Sequence, residues 1–340
     1  MVPTLRLSDA RRAGRYDVGF LEVLRSALHG IGFVQLTDFG ALPGQIDGLR
    51  TASKAFFDLP LGERMQVDNR RSPHFRGYTR LGHEITAGRS DSREQLDFAP
   101  EGKAIGPEGR DAPYRLLEGP NLWPVAALPG LRSTVLDWAA LMSRVGAELT
   151  RAVAACIGLD HEHFDGYFSG APHWYGKLIR YVGGPPDADA QGVGPHTDWG
   201  FLTLLLQDDV GGLQALPKGE HAWVDVAPVD DALVVNIGEM LEIATDGYLV
   251  ATPHRVLPCP SGVTRESVAF FWSPRLDATL TRVALPPELA ARAPGVAHAA
   301  GNALLSRFGD NALKGWLRSH PEVAELHHPA LVDAPRSSRS

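Results

Sequence analysis

The stretch GPHTDWGFLTLLLQDDVGGLQA, residues 194–215, sets His196 and Asp198 two positions apart at the head of a long apolar run. In an extended chain, residues i and i+2 point to the same face. The pair therefore aims an imidazole and a carboxylate at one point, and Trp199 would point the other way if the strand is regular. A carboxylate buried alone is costly, far more so than one paired with a cation. The run behind it, FLTLLLQ, reads as a buried strand. Two ligands hold a divalent metal poorly, and a third candidate is His254 in ATPHRV, a second β-type segment after the turn-like TDGYLV. Two histidines and one carboxylate cap one face of an octahedron and leave three positions open, as in non-haem Fe(II) oxygen chemistry. Structural zinc, which closes its shell and often uses thiolates, fits this set poorly.

Working outward, FLTLLLQ is one of a series. KLIRYV, LQAL, AWVDV, ALVVNIG, ESVAFFW and ATLTRV follow at turn-rich spacing after about residue 172, which predicts an antiparallel sandwich or barrel. Upstream, residues 17–30 carry helical spacing closed by Gly30, GFVQLTDFG reads as a short strand, and GQIDGLRTASKAFF is helical up to Leu59, before Pro60. Residues 66–124 read as loops and short strands with recurring aromatics. Residues 128–157 give the strongest helix signal, a long amphipathic helix that buttresses a sheet. NALLSRFGDNALKGWLRSH predicts a helix in the tail, and the polar end DAPRSSRS is expected to fray. The predicted fold is mainly β with flanking helices. Its segments are 1–125, 126–172, 173–285 and 286–340, packed as one unit.

Composition narrows the function. The chain has 340 residues, 44% of them hydrophobic and 21% charged, which suits a soluble globular protein. A net charge of −7 disfavours a general nucleic-acid binder, and no apolar run reaches the length of a membrane span. Cys156 and Cys259 form no disulfide framework or zinc pattern, and no signal-peptide core is seen, so a cytoplasmic location is expected.

Eleven residues after His254 stands Arg265, with Ser267 at i+2 on the same strand face. A guanidinium forks onto a carboxylate, and a serine hydroxyl adds a hydrogen bond. A barrel with the metal set at its mouth and this pair deeper could hold a dicarboxylic keto acid by both ends.

These motifs, HTDWGFLTLLLQDDVGGLQA, NIGEMLEIATDGYLVATPHRV and RESVAFFW, resemble the core of the isopenicillin N synthase-like family of Fe(II)/2-oxoglutarate-dependent oxygenases. GFVQLTDFG, SKAFFDLPLGER and FRGYTRLGHEITAGRSDSREQLDF resemble its N-terminal region. The tail NALKGWLRSHPEVAELHHP resembles bacterial members. The resemblance implies a double-stranded β-helix, or jelly-roll, core. It implies that His196, Asp198 and His254 ligate Fe(II), and that Arg265 and Ser267 hold the distal carboxylate of 2-oxoglutarate. Tyr181 in LIRYVGGPP matches a family co-substrate tyrosine, although Arg180 and Val182 replace its usual neighbours. The reaction implied consumes O2 and 2-oxoglutarate, releases succinate and CO2, and hydroxylates, desaturates or cyclises a small molecule. Alternatives are an oxidase of the same fold that needs no 2-oxoglutarate, ethylene formation from 2-oxoglutarate, and a non-catalytic keto-acid or metal sensor.

For the substrate, Phe75, Arg76 and Tyr78 are candidates at the mouth, with Trp174 and His173 further on. Only one of Phe271 and Trp272 can face inward, and Phe271 is the candidate. Each can equally be core packing. His161–His163 and His327–His328 read as solvated pairs, and Asp208–Asp209 as a turn. The expected assembly is a monomer or homodimer without nucleic-acid or membrane partners.

Overall fold

The computed structural model describes residues 1–106, 110–184, 190–296 and 305–332. The segment DAPRSSRS lies outside the described residues. The strands of the two main sheets and of the hairpin at the cavity mouth are, in chain order, β1 (Thr4–Arg6), β2 (Phe33–Thr37), β3 (Gly77–Thr79), β4 (Ile85–Thr86), β5 (Arg89–Ser90), β6 (Arg93–Phe98), β7 (His173–Val182), β8 (Val193–His196), β9 (Leu202–Gln207), β10 (Leu213–Ala215), β11 (Val224–Asp225), β12 (Leu233–Ile237), β13 (His254–Val256) and β14 (Thr264–Ser273). The larger sheet has the order β1-β2-β12-β9-β14-β7-β6-β3, and the smaller β8-β13-β10-β11. β1 runs parallel to β2; the other pairings in these sheets are antiparallel. Together they form the jelly roll, and strands from the first hundred residues complete the larger sheet.

Period-two alternation sorts the larger sheet's residues between two cores. Phe33, Ile179, Tyr181, Val234 and Ala269 face the smaller sheet with Val193, Leu213 and Val256. Leu178, Leu204, Leu206, Val235, Phe270 and Trp272 turn to the other face, against helices. The longer helices are α1 (Val18–Gly30), α2 (Gln45–Phe57), α3 (Leu131–Cys156), α4 (Glu239–Ala244), α5 (Phe308–Ser319) and α6 (Pro321–His327). Asp17 caps α1, its carboxylate accepting from the Phe20 amide at 2.9 Å. α3 approaches the sheet closely because Gly146 leaves room for Trp272: a Cβ there would stand 2.6 Å from the indole Cγ. The indole Nε1 donates to Thr150 Oγ1 at 3.0 Å.

Three sequence expectations change. ATLTRV is not a strand; Ala278 and Leu280 are buried, but the backbone makes one isolated bridge, Thr279 with Arg307. Its apolar alternation serves packing without a strand beside it. His327 and His328 are not a solvated pair. Their Nε2 atoms meet the carbonyls of Arg70 and Pro73 at 2.8 and 2.7 Å, tying the tail to the N-terminal region. β8 ends at His196, so Asp198 comes from the turn beyond it and not from a regular strand. No helix is long and apolar enough to cross a membrane among the described residues.

Candidate active site

The metal candidates meet between the two sheets. His196 ends β8, His254 begins β13, and the two are paired across the smaller sheet. Asp198 Oδ1 lies 3.8 Å from His196 Nε2 and 3.7 Å from His254 Nε2. One ligand atom from each of the three lies within 4.8 Å of the others. Every remaining polar atom of the set is already engaged. Each Nδ1 faces a carbonyl two residues back, Gly194 at 2.8 Å for His196 and Thr252 at 3.0 Å for His254. That contact fixes the tautomer with the Nε2 lone pair turned inward. Asp198 Oδ2 accepts from Thr203 Oγ1 at 2.5 Å and from Asn236 Nδ2 at 2.7 Å. Both donors stand on the larger sheet, so one sheet orients the carboxylate and the other supplies the imidazoles.

The electrostatics suit a cation. Burial raises the Asp198 carboxyl, but the imidazoles of His254 and His196 and the two donors outweigh it, leaving the pKa below the usual range. Desolvation, and then His254, push the His196 imidazole down to about 4. Asp198 is thus held as a carboxylate and His196 as a neutral imidazole, the protonation states that metal binding requires.

Deeper in the barrel, Arg265 and Ser267 project from one face of β14, opposite Tyr181 on β7 and Gln207 on β9 respectively. Both are buried. The guanidinium lies over the Tyr181 ring, 4.7 Å from its centroid, and donates to Gln207 Oε1 at 3.3 Å. Among the described residues, Arg265 Nε and Nη1 and Ser267 Oγ have no hydrogen-bond partner. Buried donors are ordinarily satisfied, and an open fork with an adjacent hydroxyl can take a carboxylate.

In front of Asp198 opens a cavity of about 510 Å³, bounded by the hairpin β4–β5 on one side and α5 on the other. Phe271 lines it and stacks on Tyr175, their centroids 4.1 Å apart. Trp199 also lines it, because the chain has left the strand before that residue. The other substrate candidates are not among the lining residues. Phe75 is buried against Trp316 and His328. Tyr78 donates to Glu94 at 2.5 Å within an inner polar cluster with Arg64. Trp174 faces the helix side of β7 and stacks on Phe270. Arg76 and His173 line a separate cavity. Sequence reasoning missed Thr203, Asn236 and Gln207, although each is a polar residue within an otherwise apolar strand. It also missed Glu84, Arg93, Tyr175 and Lys177 in the cavity wall.

Residues 176–274 match the 2OG-Fe(II) oxygenase superfamily, and residues 2–126 match the family described as non-haem dioxygenase in morphine synthesis, N-terminal. A 2-oxoglutarate-dependent dioxygenase (frbJ) of Dothideomycetidae sp. (strain 11243) is 33% identical, with 95% of this chain and 91% of that one covered. The chain belongs to the 2OG-Fe(II) oxygenase superfamily. A homoarginine-6-hydroxylase of Arabidopsis thaliana is 32% identical over 78% of this oxygenase and 80% of its own length. Among solved structures, a 2OG-Fe(II) oxygenase family protein of Caulobacter crescentus superposes with TM-score 0.73 at 26% identity, covering 92% of this chain and 99% of that one. A full-length Neurospora crassa protein in complex with α-ketoglutarate shares the fold, with TM-score 0.73 at 22% identity and coverage of 93% and 95%. As a superfamily member the protein is an oxidoreductase that uses Fe(II), 2-oxoglutarate and O2 to oxidise a small molecule.

Proposed function

We propose that His196, Asp198 and His254 hold the iron and that Arg265 and Ser267 seat the distal carboxylate of 2-oxoglutarate, with the Tyr181 ring beneath the guanidinium. One observation carries this reading: three inward-facing metal ligands and an unpaired, buried guanidinium–hydroxyl pair lie in the same barrel. When bound, Fe(II) and 2-oxoglutarate supply oxidation by O2, with release of succinate and CO2. The chain's own part is positional. Thr203 and Asn236 hold Asp198, Gln207 and Tyr181 hold Arg265, and Tyr175, Phe271 and Trp199 restrict water at the reacting face.

The substrate reading is a small zwitterion of the basic amino-acid class. The cavity lining is charged in both signs, with Glu84 paired to Arg93 and Lys177 and with Glu239 bonded to Thr197 and Asn311, between aromatic walls. The homoarginine-6-hydroxylase among its relatives supports trying homoarginine and arginine first. Motif order supports placement near the isopenicillin N synthase-like group, and the tail supports a bacterial member. Both cysteines are free, which suits the cytoplasm. The candidate ligands come from one chain, so a monomer suffices and a homodimer is compatible.

The test is anaerobic addition of Fe(II) and then 2-oxoglutarate, followed by visible absorbance. Keto-acid chelation gives a weak charge-transfer band. The band should form in wild type, and Arg265→Ala should need roughly ten- to a hundredfold more 2-oxoglutarate, the effect of losing a charge-assisted pair. An unchanged requirement in Arg265→Ala would remove the co-substrate assignment. Undiminished iron binding in His196→Ala would remove the metal assignment. Succinate release stimulated by homoarginine or arginine, and by neither alanine nor glutamate, supports the substrate class.

A further inference from the structure

A second cavity, of about 420 Å³, lies at the start of β7 and is separate from the metal cavity. His173, Tyr175 and Lys177 alternate along one face of β7; the first lines the second cavity, the other two the metal cavity. Arg76 and His173 are both buried in its wall.

Arg76 is the unusual residue. Its guanidinium is fully desolvated, yet among the described residues it makes no ion pair. Nη1 donates to the His74 carbonyl at 3.1 Å and Nη2 to the Leu117 carbonyl at 2.7 Å. Nε has no partner. A guanidinium carries five N–H donors, so these two bonds leave most of the fork unused. His173 Nε2 is likewise buried without a partner. The acids that line the same cavity are already matched. Glu118 pairs with Arg115 at 2.7 Å, Asp277 with Arg275 at 3.0 Å and Glu101 with Arg132 at 3.2 Å. An unmatched buried cation with open donors is costly unless something of opposite charge joins it. Burial lowers the Arg76 guanidinium to about 10 against the opposing charges of Asp97 and Glu101, neither of which lies within ion-pair distance of it.

The geometry points to a second ligand site here: a small monocarboxylate bound between Arg76 and His173. The one positive charge of Arg76 fits one negative charge, and the planar fork fits a carboxylate. Burial keeps His173 neutral, so the pair offers no second positive charge for a phosphate dianion. Leu117, Leu276 and Tyr114 offer apolar wall for an organic body behind the carboxylate.

Fe(II)-loaded protein, saturated anaerobically with 2-oxoglutarate so that the Arg265 seat is filled, is titrated calorimetrically with benzoate and, separately, with inorganic phosphate. Benzoate should bind saturably without loss of the charge-transfer band. Arg76→Gln should weaken it roughly ten- to a hundredfold, and His173→Phe should weaken it by a smaller factor. If Arg76→Gln does not fold, a benzoate-soaked crystal of wild type decides, by showing the carboxylate on Arg76 or its absence there. No saturable binding overturns the proposal. So does binding indifferent to both substitutions, a crystal with no carboxylate on Arg76, or phosphate binding in place of benzoate. A charge-transfer band missing at the outset faults the main-site reading and not this one.

Discussion

In the proposed metal set, Asp198 has only one oxygen free. Thr203 and Asn236 occupy Oδ2 and turn Oδ1 toward both imidazoles. Groups that orient a metal ligand typically contribute ten- to a hundredfold in affinity. Asn236→Ala and Thr203→Val should therefore each weaken Fe(II) binding by about that factor, measured by anaerobic titration. Unaltered affinity would show that the turn alone holds the carboxylate. The proposed ligands were legible in the sequence because H-x-D and a later histidine are local patterns. Their supports were not, because Thr203 and Asn236 reach Asp198 from two neighbouring strands whose register no local pattern reveals. His173 gives a separate prediction at this scale. Burial, and then the Arg76 charge, lower it to about 3, against about 6.5 for an ordinary histidine. Between those values the unfolded chain takes up a proton that the folded chain does not, so stability falls as pH falls. From pH 7 to pH 5 the loss is roughly 2 kcal/mol. Urea unfolding of wild type and His173→Phe at both pH values should show a shallower acid loss in the variant, by about that amount. Equal losses would mean that His173 protonates as readily folded as unfolded.

At the scale of elements, two glycines set how closely helices approach the site. Gly146 admits Trp272 to α3, and Gly315 admits Trp199 to α5, where a Cβ would stand 2.3 Å from the indole Cε2. Gly315→Ala must therefore move the indole or the helix. Because both border the cavity and neither touches Arg265, the expected result is a raised KM for the substrate with the 2-oxoglutarate charge-transfer band retained. A KM that does not move would show that Trp199 yields without reshaping the cavity. Strands and helices were largely readable from period-two and helical spacing, and α3 from its length. The failures have physical causes. ATLTRV alternates yet has no partner strand, and burial alone gives the same pattern. Trp199 was assigned to the far face on the assumption of a strand that in fact ends three residues earlier. The choice between Phe271 and Trp272 was correctly limited to one by alternation, and Gly146 on α3 supplies the space that receives the other.

At the scale of the molecule, a buried charge cluster joins regions far apart in sequence. Lys177 on β7 contacts Glu84 beside the hairpin at 3.2 Å and Asp97 on β6 at 2.9 Å. Arg93 meets Glu84 and Asp91, each at 3.0 Å. His320, between α5 and α6, approaches Asp97 at 3.5 Å and Glu84 at 3.8 Å. Composition marked the N-terminal region, the barrel and the tail as successive segments, but not this convergence, because single charged residues carry no sign of their distant partners. The cluster Glu84, Asp97 and His320 has the donor types of a metal site, yet the Lys177 ammonium already supplies the cation between its two carboxylates. Removing one member of a buried ion pair leaves the rest uncompensated and costs about 3–5 kcal/mol, whereas neutralising a whole set can be nearly neutral. Lys177→Met should accordingly lower unfolding stability by roughly that amount, and adding Glu84→Gln and Asp97→Asn should restore part of it. Chemical denaturation of the single and triple variants measures both. If the triple variant is weaker than the single by the full cost of two further lesions, the three residues act independently. In that case the cluster is not the joint that holds the tail and the hairpin around the metal cavity.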